Sequence, residues 1–144
     1  MKYMLIMRVN DDAALAAGEE IPFEEMINRM GAYNDALVDA GVLLAADGLS
    51  DPSEGFVVDF ATDDPIVTDG PYGEIHELFN GFWILEVASR EEAAEWARRC
   101  PLGPGTKLEV RRVTDESDFA DFADNDYIQK EAERRAELGE SRHG

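Results

Sequence analysis

The chain has 144 residues and a mass of 16.0 kDa, which is enough for one compact domain with a hydrophobic core. Thirteen Lys and Arg residues against 32 Asp and Glu residues give a formal net charge of -19, which disfavours binding to nucleic acid or to an anionic membrane surface. The single cysteine excludes an intrachain disulfide, and no apolar run approaches a membrane span, so we expect a cytoplasmic protein.

The first two predicted elements are a strand and a long helix. Residues 2–9 are rich in large apolar side chains, which is typical of a largely buried strand. Pro22 suits the first position of a helix, apolar residues then recur at helical spacing, and Gly41 provides the stop. Tyr33 lies on this apolar stripe, which favours a place in the core; the alternative is that its hydroxyl reaches the rim of a pocket.

The middle of the chain predicts a strand followed by a hairpin. Residues 42–46 form the strand, and residues 54–68 read as two short strands around a turn. Alternation in the first of these short strands predicts that Phe56, Val58 and Phe60 face inward.

The next stretch contains a clear change from strand to helix. Residues 82–87 form an apolar strand, and Ser89 with Glu92 three residues later is the signature of a capping box. Pro101 ends the helix, and residues 107–113 form a last strand.

This order of elements predicts an α+β fold. Two strand–helix–strand units in one small domain indicate a ferredoxin-like split βαβ layout, with one antiparallel sheet, two helices on one face and a hairpin insertion. Strand residues 82–85 are large and apolar on both faces, so the second face needs a protein cover. A second copy of the sheet is the simplest cover, which predicts a two-fold homodimer.

The composition changes after Val113. We therefore expect a domain over residues 1–113 and an acidic extension over residues 114–144, with a helix at about 126–138 capped by Asp126. The extension is either a solvated tail or an arm docked on its own subunit or on the partner; its aromatic residues favour the docked arm.

The sequence Asp69-Gly70-Pro71 is the strongest turn signal in the chain. In a turn, Asp can bond its own downstream backbone, Gly tolerates positive φ and Pro fixes the next φ. The functional alternative is that Asp69 projects into a cleft as a general base, while Gly70 permits close approach of a ligand.

His76 follows seven residues later, within reach of Asp69 if the loop folds back. A histidine titrates near neutral pH, which suits proton transfer, but a surface histidine in a polar loop is the competing interpretation. Together with Glu74 and Glu77 the spacing matches no established zinc signature, so we predict no metal site.

Other site chemistry is sparse. Arg8, at the end of the first strand, is a candidate for binding an anionic group, against the alternative of an ordinary ion pair. No nucleophile has a neighbouring base, and neither a P-loop nor a dinucleotide fingerprint is present, so we predict no cofactor.

Several segments together resemble the YCII-related family, in particular its branch named for an Asp-Gly-Pro-Phe motif. The matching segments are Val67–Glu74 (VTDGPYGE), Gly81–Val87 (GFWILEV), Glu92–Ala97 (EAAEWA) and Cys100-Pro101. The resemblance extends over residues 1–113. It departs from the family pattern at two positions, where Tyr72 replaces the usual Phe and His76 stands where Lys is frequent.

The resemblance implies a dimeric α/β-barrel-like assembly of ferredoxin-like subunits. Some relatives are linked to lactone or dehydrohalogenation chemistry that uses a His–Asp pair, and others occur beside extracytoplasmic-type sigma factors. We therefore expect a small-molecule-binding protein, with an isomerase or lyase acting on a small organic acid or lactone as the enzymatic version. The alternative is a non-enzymatic ligand-sensing or accessory protein linked to sigma-factor-associated regulation.

In the enzymatic version, the acid–base candidates are Asp69 and His76. The residues expected to contact the ligand are Gly70, Pro71, Tyr72, Glu74, Arg8 and Tyr33.

Overall fold

The computed structural model describes residues 1–8, 22–73, 78–103 and 106–143. The chain divides into two compact units, Met1–Arg112 and Val113–Gly144, and each is described by itself. Within the described residues, no helix combines the length and the hydropathy that crossing a membrane requires.

The first unit has the predicted ferredoxin-like α+β fold. Four strands form an antiparallel sheet in the order β2-β5-β1-β6, and β3 with β4 forms a separate two-stranded sheet. The elements in chain order are β1 (Lys2–Arg8), α1 (Phe23–Asp39), β2 (Leu43–Gly48), β3 (Phe56–Asp59), β4 (Ile66–Asp69), β5 (Phe79–Glu86), α2 (Arg90–Arg98) and β6 (Leu108–Arg112). The inserted hairpin is therefore β3–β4, between the second and third strands of the main sheet.

The helix ends follow the sequence signals closely. α1 begins directly after Pro22, and Gly41 (φ 73°) follows its last turn and donates its N–H to the Val38 carbonyl at 2.9 Å. At the start of α2, Ser89 Oγ accepts the Glu92 N–H at 3.1 Å. The Glu92 carboxylate accepts the N–H of Ala88 at 2.7 Å, one residue earlier than a standard capping box requires.

The hydrophobic core lies between the main sheet and its helices. Strand pairing puts Leu5 opposite both Trp83 and Val110, so alternate residues of three strands share one face. These residues pack with Leu37 of α1 and Ala93 of α2, both of which are fully buried. Burying each large aliphatic side chain of this kind contributes roughly 1.5–3 kcal/mol, so this layer is the main source of stability.

The opposite face of the main sheet is also apolar. The pairs Met4–Ile84 and Ile6–Phe82 lie on it, in agreement with the prediction that these strands are apolar on both sides. Ile6 is buried and the other three are half-buried, so this face is already partly shielded within one chain.

The prediction that Phe56, Val58 and Phe60 face inward is wrong. Phe56 is 68% exposed and Phe60 is 76% exposed, while the intervening Val57 is the more buried residue. The physical reason is that β3 and β4 form a separate two-stranded sheet, outside the main sheet that the helices cover, and the described residues leave this face exposed. Alternation identifies which residues share a face, but it does not tell whether that face is covered.

The second unit contains a 3-10 helix, Glu116–Phe122, and the helix α3, Asp126–His143. The helix cap is Asn125 rather than the expected Asp126, because the helix begins one residue earlier. Asn125 Oδ1 accepts the N–H groups of Tyr127 at 2.9 Å and Ile128 at 3.3 Å.

Candidate functional site

The Asp-Gly-Pro turn closes the hairpin against a neighbouring 3-10 helix. β4 ends at Asp69, and the Gly70 N–H donates to the Gly55 carbonyl at 2.8 Å. Gly55 in turn donates its N–H to the Pro52 carbonyl at 3.1 Å, and the peptide bond between Gly70 and Pro71 is cis. The turn is therefore attached to the short 3-10 helix Pro52–Glu54 by backbone hydrogen bonds.

Gly70 is required by close packing and not by its backbone angle. A Cβ atom there would lie 2.9 Å from the Pro52 carbonyl oxygen and 3.1 Å from that of Gly55. Among the described glycines, positive φ occurs at Gly41 and Gly73, so Gly70 does not use the positive φ that glycine tolerates in turns. The groups that approach Gly70 closely are backbone carbonyls of the same chain, those of Pro52 and Gly55.

The 3-10 helix beneath the turn is fixed by a side-chain cap. Asp51 Oδ1 accepts hydrogen bonds from the Ser53 hydroxyl at 2.7 Å and from the Ser53 N–H at 2.9 Å. These bonds, the hydroxyl first, lower the pKa of Asp51 below its ordinary value of 3.8 because they stabilise the carboxylate. This cap fixes the backbone of the 3-10 helix to which the Asp-Gly-Pro turn is hydrogen-bonded.

Asp69 lies on an apolar face of the hairpin. Its antiparallel partner is Phe56, and the next pair on the same face is Val58–Val67. Phe56 is 68% and Val67 64% exposed, and the Asp69 side chain is exposed as well. No described residue forms a hydrogen bond with the Asp69 carboxylate, so the bond to downstream backbone expected of a turn aspartate is not seen among the described residues.

The remaining loop candidates divide into described and undescribed residues. Pro71 is the last residue of the turn, Tyr72 follows it directly, and the Tyr72 side chain is exposed. Glu74 and His76 lie outside the described residues, so the predicted contact between His76 and Asp69 stays a prediction.

Arg8 forms an ion pair on the main sheet. Its guanidinium lies 2.5 Å from the Glu109 carboxylate on the neighbouring strand β6, with both side chains partly exposed. This geometry corresponds to the ion-pair interpretation of Arg8.

Tyr33 is a residue of α1, and its side chain is buried in the core. Its hydroxyl donates to the Trp96 carbonyl at 2.8 Å, and its ring makes an edge-to-face contact with Trp83 at a centroid distance of 5.7 Å. Burial raises the pKa of Tyr33 well above 10.0, with a smaller contribution from nearby Cys100. The side chain therefore has the environment of a core residue, with its hydroxyl already used by the protein.

Nucleophilic and metal chemistry find little support among the described residues. Cys100 is half-buried at the end of α2, and burial raises the pKa of its thiol from 9.0 to about 12. The thiol is thus protonated at neutral pH and a poor nucleophile. Over residues 1–8, 22–73, 78–103 and 106–143, no three His, Cys, Asp or Glu residues are grouped so that they could hold a metal ion.

The second unit contains a cavity that the sequence did not reveal. It has a volume of about 280 Å³ and lies between α3 and the 3-10 helix Glu116–Phe122 of the same unit. Its apolar lining comes from Phe119, Tyr127, Ile128 and Ala132, and its polar lining from Glu116, Glu131 and Arg135. The aromatic residues were visible in the sequence as anchors, but the 3-10 helix that turns Phe119 toward α3 was not predicted.

The architecture defines the first unit as a ferredoxin-like α+β domain with an inserted, partly apolar hairpin. A family model described as YCII-related domain matches residues 1–117, and the chain belongs to this family. Uncharacterized protein R00369 of Rhizobium meliloti (strain 1021) is 27% identical over 93 residues, which cover 65% of this chain and 75% of that protein.

One of the solved structures that match this chain has low similarity to it. It is 5-chloro-2-hydroxyhydroquinone dehydrochlorinase (TftG) from Burkholderia phenoliruptrix AC1100, in complex with 2,5-dihydroxybenzoquinone. The TM-score is 0.39 and the identity 11%, over 81% of this chain and 98% of that chain. At this level the similarity does not bear on the chemistry of the present site.

Proposed function

We propose that this chain is a homodimeric small-molecule-binding protein of the Asp-Gly-Pro-Phe branch of its family, with Asp69 in the ligand site. In its enzymatic form it performs proton-transfer chemistry, isomerisation or elimination, on a small organic acid or lactone. His76 is the proposed second acid–base group, and Gly70, Pro71, Tyr72 and Glu74 are proposed to line the same site.

One observation carries this proposal: Asp69 shares a hairpin face with exposed Phe56 and Val67. Small-molecule sites combine a mainly apolar lining with a few polar groups that orient the ligand, and this face has that composition. A carboxylate shielded from water is also a better base than one in bulk solvent. Covering the face would therefore create both the apolar lining and a reactive carboxylate.

A second copy of the chain is the proposed cover. A two-stranded hairpin is only marginally stable by itself, and this one exposes large side chains on one face. Two-fold symmetry would bury the same apolar face on each subunit. The net charge of -19 on each chain opposes association, so added salt should strengthen the dimer by screening that repulsion.

A thermal-shift screen tests the ligand site. Small carboxylates and lactones are screened against the parent, Asp69→Asn and the control Asp63→Asn, which removes the same charge from the turn of the same hairpin. Asp63 lies outside β3 and β4, and its side chain is exposed.

The proposal expects at least one compound that raises the melting temperature of the parent and of Asp63→Asn but not of Asp69→Asn. Compounds that shift all three proteins equally would show a ligand site elsewhere, and a screen without any hit would contradict small-molecule binding. For a hit, a proton-exchange measurement by NMR then separates an enzyme, which exchanges substrate hydrogens, from a binding protein, which does not.

A further inference from the structure

The C-terminal unit displays an apolar groove whose aromatic side chains are incompletely covered. Phe119 and Tyr127 line the cavity between the 3-10 helix and α3, and they are 41% and 77% exposed in the whole chain. Phe122, on the same 3-10 helix, is exposed as well. The cavity of about 280 Å³ is large enough for one aliphatic or aromatic side chain of another molecule.

This groove is held in shape by local hydrogen bonds. Asp115 accepts hydrogen bonds from the hydroxyl and the N–H of Ser117, and the Asp118 carboxylate accepts the Asp115 N–H at 2.7 Å. Asn125 caps α3, and the Gln129 side chain donates to the Ala123 carbonyl at 3.2 Å. Local capping of this kind orders the backbone without requiring that the aromatic side chains be buried.

The charge around the groove is predominantly acidic. Between Val113 and Gln129 there are six acidic residues and no Lys, Arg or His. They are Asp115, Glu116, Asp118, Asp121, Asp124 and Asp126. Two cations also lie at the groove. The Arg135 guanidinium is 3.8 Å from the Glu131 carboxylate, and the Lys130 ammonium is 5.5 Å from the centroid of the Tyr127 ring.

We propose that this groove docks a basic amphipathic segment of another protein. One apolar side chain of that segment enters the cavity against Phe119 and Tyr127, and flanking Lys or Arg side chains contact the acidic residues of the 3-10 helix. Charge complementarity is what selects this occupant: the six acidic residues between Val113 and Gln129 attract a basic segment and repel the same segment of another copy, nucleic acid and anionic lipid. The proposal is independent of the ligand site at Asp69.

The test uses the full chain and a synthetic probe. A fluorescently labelled peptide of Lys and Leu, patterned as an amphipathic helix, is titrated with the parent protein, and binding is measured by anisotropy at several salt concentrations. A second peptide with Ser in place of every Leu keeps the charge and removes the apolar side chains. Circular dichroism of each variant checks that the helices are retained.

Two pairs of variants separate docking from general attraction. Phe119→Ala with Tyr127→Ala removes the apolar wall of the groove, whereas Phe23→Ala with Ile27→Ala removes two exposed apolar residues of α1, far from the proposed ligand site in the sequence. Asp121→Asn with Asp124→Asn removes two charges beside the groove, and Asp63→Asn with Asp64→Asn removes two charges in the hairpin turn. None of the four aspartates has a described side-chain hydrogen bond, so each pair changes charge alone.

The expected result is that the parent binds the Lys–Leu peptide and that the double alanine variant at the groove binds about tenfold more weakly, a change of about 1.4 kcal/mol. The asparagine pair at the groove should bind several-fold more weakly with a shallower salt dependence, and both control pairs, on α1 and in the hairpin turn, should bind like the parent. The proposal is overturned if the Lys–Ser peptide binds equally well, if the groove and control variants behave alike, or if the Lys–Leu peptide does not bind.

Discussion

The strands of the main sheet and those of the inserted hairpin both carry large apolar side chains, but these are buried in the sheet and exposed in the hairpin. In β5, Trp83 and Leu85 alternate with Phe82 and Ile84, and all four are buried or half-buried. In the hairpin, Phe56, with Val58 and Val67, lies on a face that is exposed throughout. A large apolar side chain in a strand therefore indicates burial only where another layer lies opposite.

The same comparison indicates that the two regions contribute differently to the protein. Core residues such as Leu5 and Leu85 are fully buried between strands and helices, where they supply stability. Backbone hydrogen bonds at Gly70 and Gly55 attach the hairpin to the 3-10 helix Pro52–Glu54. No described residue covers its apolar face. Exposed apolar surface next to a carboxylate is the composition on which the proposed ligand site rests.

The largest difference between the two regions should appear on truncating one aliphatic residue in each. Leu85→Ala removes a fully buried side chain and should lower the free energy of unfolding by about 2–5 kcal/mol. Val67→Ala, in an exposed strand, should change it by no more than about 0.5 kcal/mol. Urea denaturation at a low protein concentration measures both, and equal losses would show that the hairpin face is buried in a single chain.

A smaller effect should follow from adding one methyl group to the hairpin turn. In Gly70→Ala the new Cβ meets two backbone carbonyl oxygens at 2.9 and 3.1 Å, so we expect a loss of about 1–3 kcal/mol and faster amide exchange in β3 and β4. Gly48→Ala is the matched control, because no atom lies within 4 Å of a Cβ placed there. If both variants exchange alike, close packing at Gly70 does not hold the hairpin.

The smallest effect should come from alkaline pH and should be confined to the core. Burial raises the pKa of Cys100 from 9.0 to about 12, so the neutral thiol stabilises the fold below pH 9 and that contribution disappears as the pH rises toward 12. The stability of the parent should therefore fall more steeply between pH 9 and pH 11 than that of Cys100→Ala. Parallel urea titrations at the two pH values measure the slopes, and identical slopes would place the thiol in solvent.

Much of the fold could be predicted because its signals are local. Pro22 and Gly41 mark the ends of α1, Ser89 caps α2, and the strand order of a ferredoxin-like sheet follows from the order of elements. The exposure of Phe56 could not be predicted, because it depends on what lies across from the hairpin and not on the sequence of the hairpin.

The site was only partly predictable for the same reason. The Asp69-Gly70-Pro71 turn was recognisable from its residues, but the reason for Gly70 is a contact with Pro52 and Gly55, which are distant in sequence. Tyr33 lay on an apolar stripe in the sequence, yet its hydrogen bond to the Trp96 carbonyl depends on how α1 packs against α2. Long-range contacts of this kind leave no local pattern.

The most direct test of the proposed role of the hairpin face is sedimentation velocity of the parent and of Val67→Asp at the same concentrations. We expect the parent to sediment as a dimer of twice the 16.0 kDa chain mass, more tightly with added salt, and Val67→Asp to sediment as a folded monomer, because the added carboxylate would be buried against the partner. A parent protein that is monomeric at tens of micromolar, or a Val67→Asp variant that dimerises as well as the parent, would contradict the account.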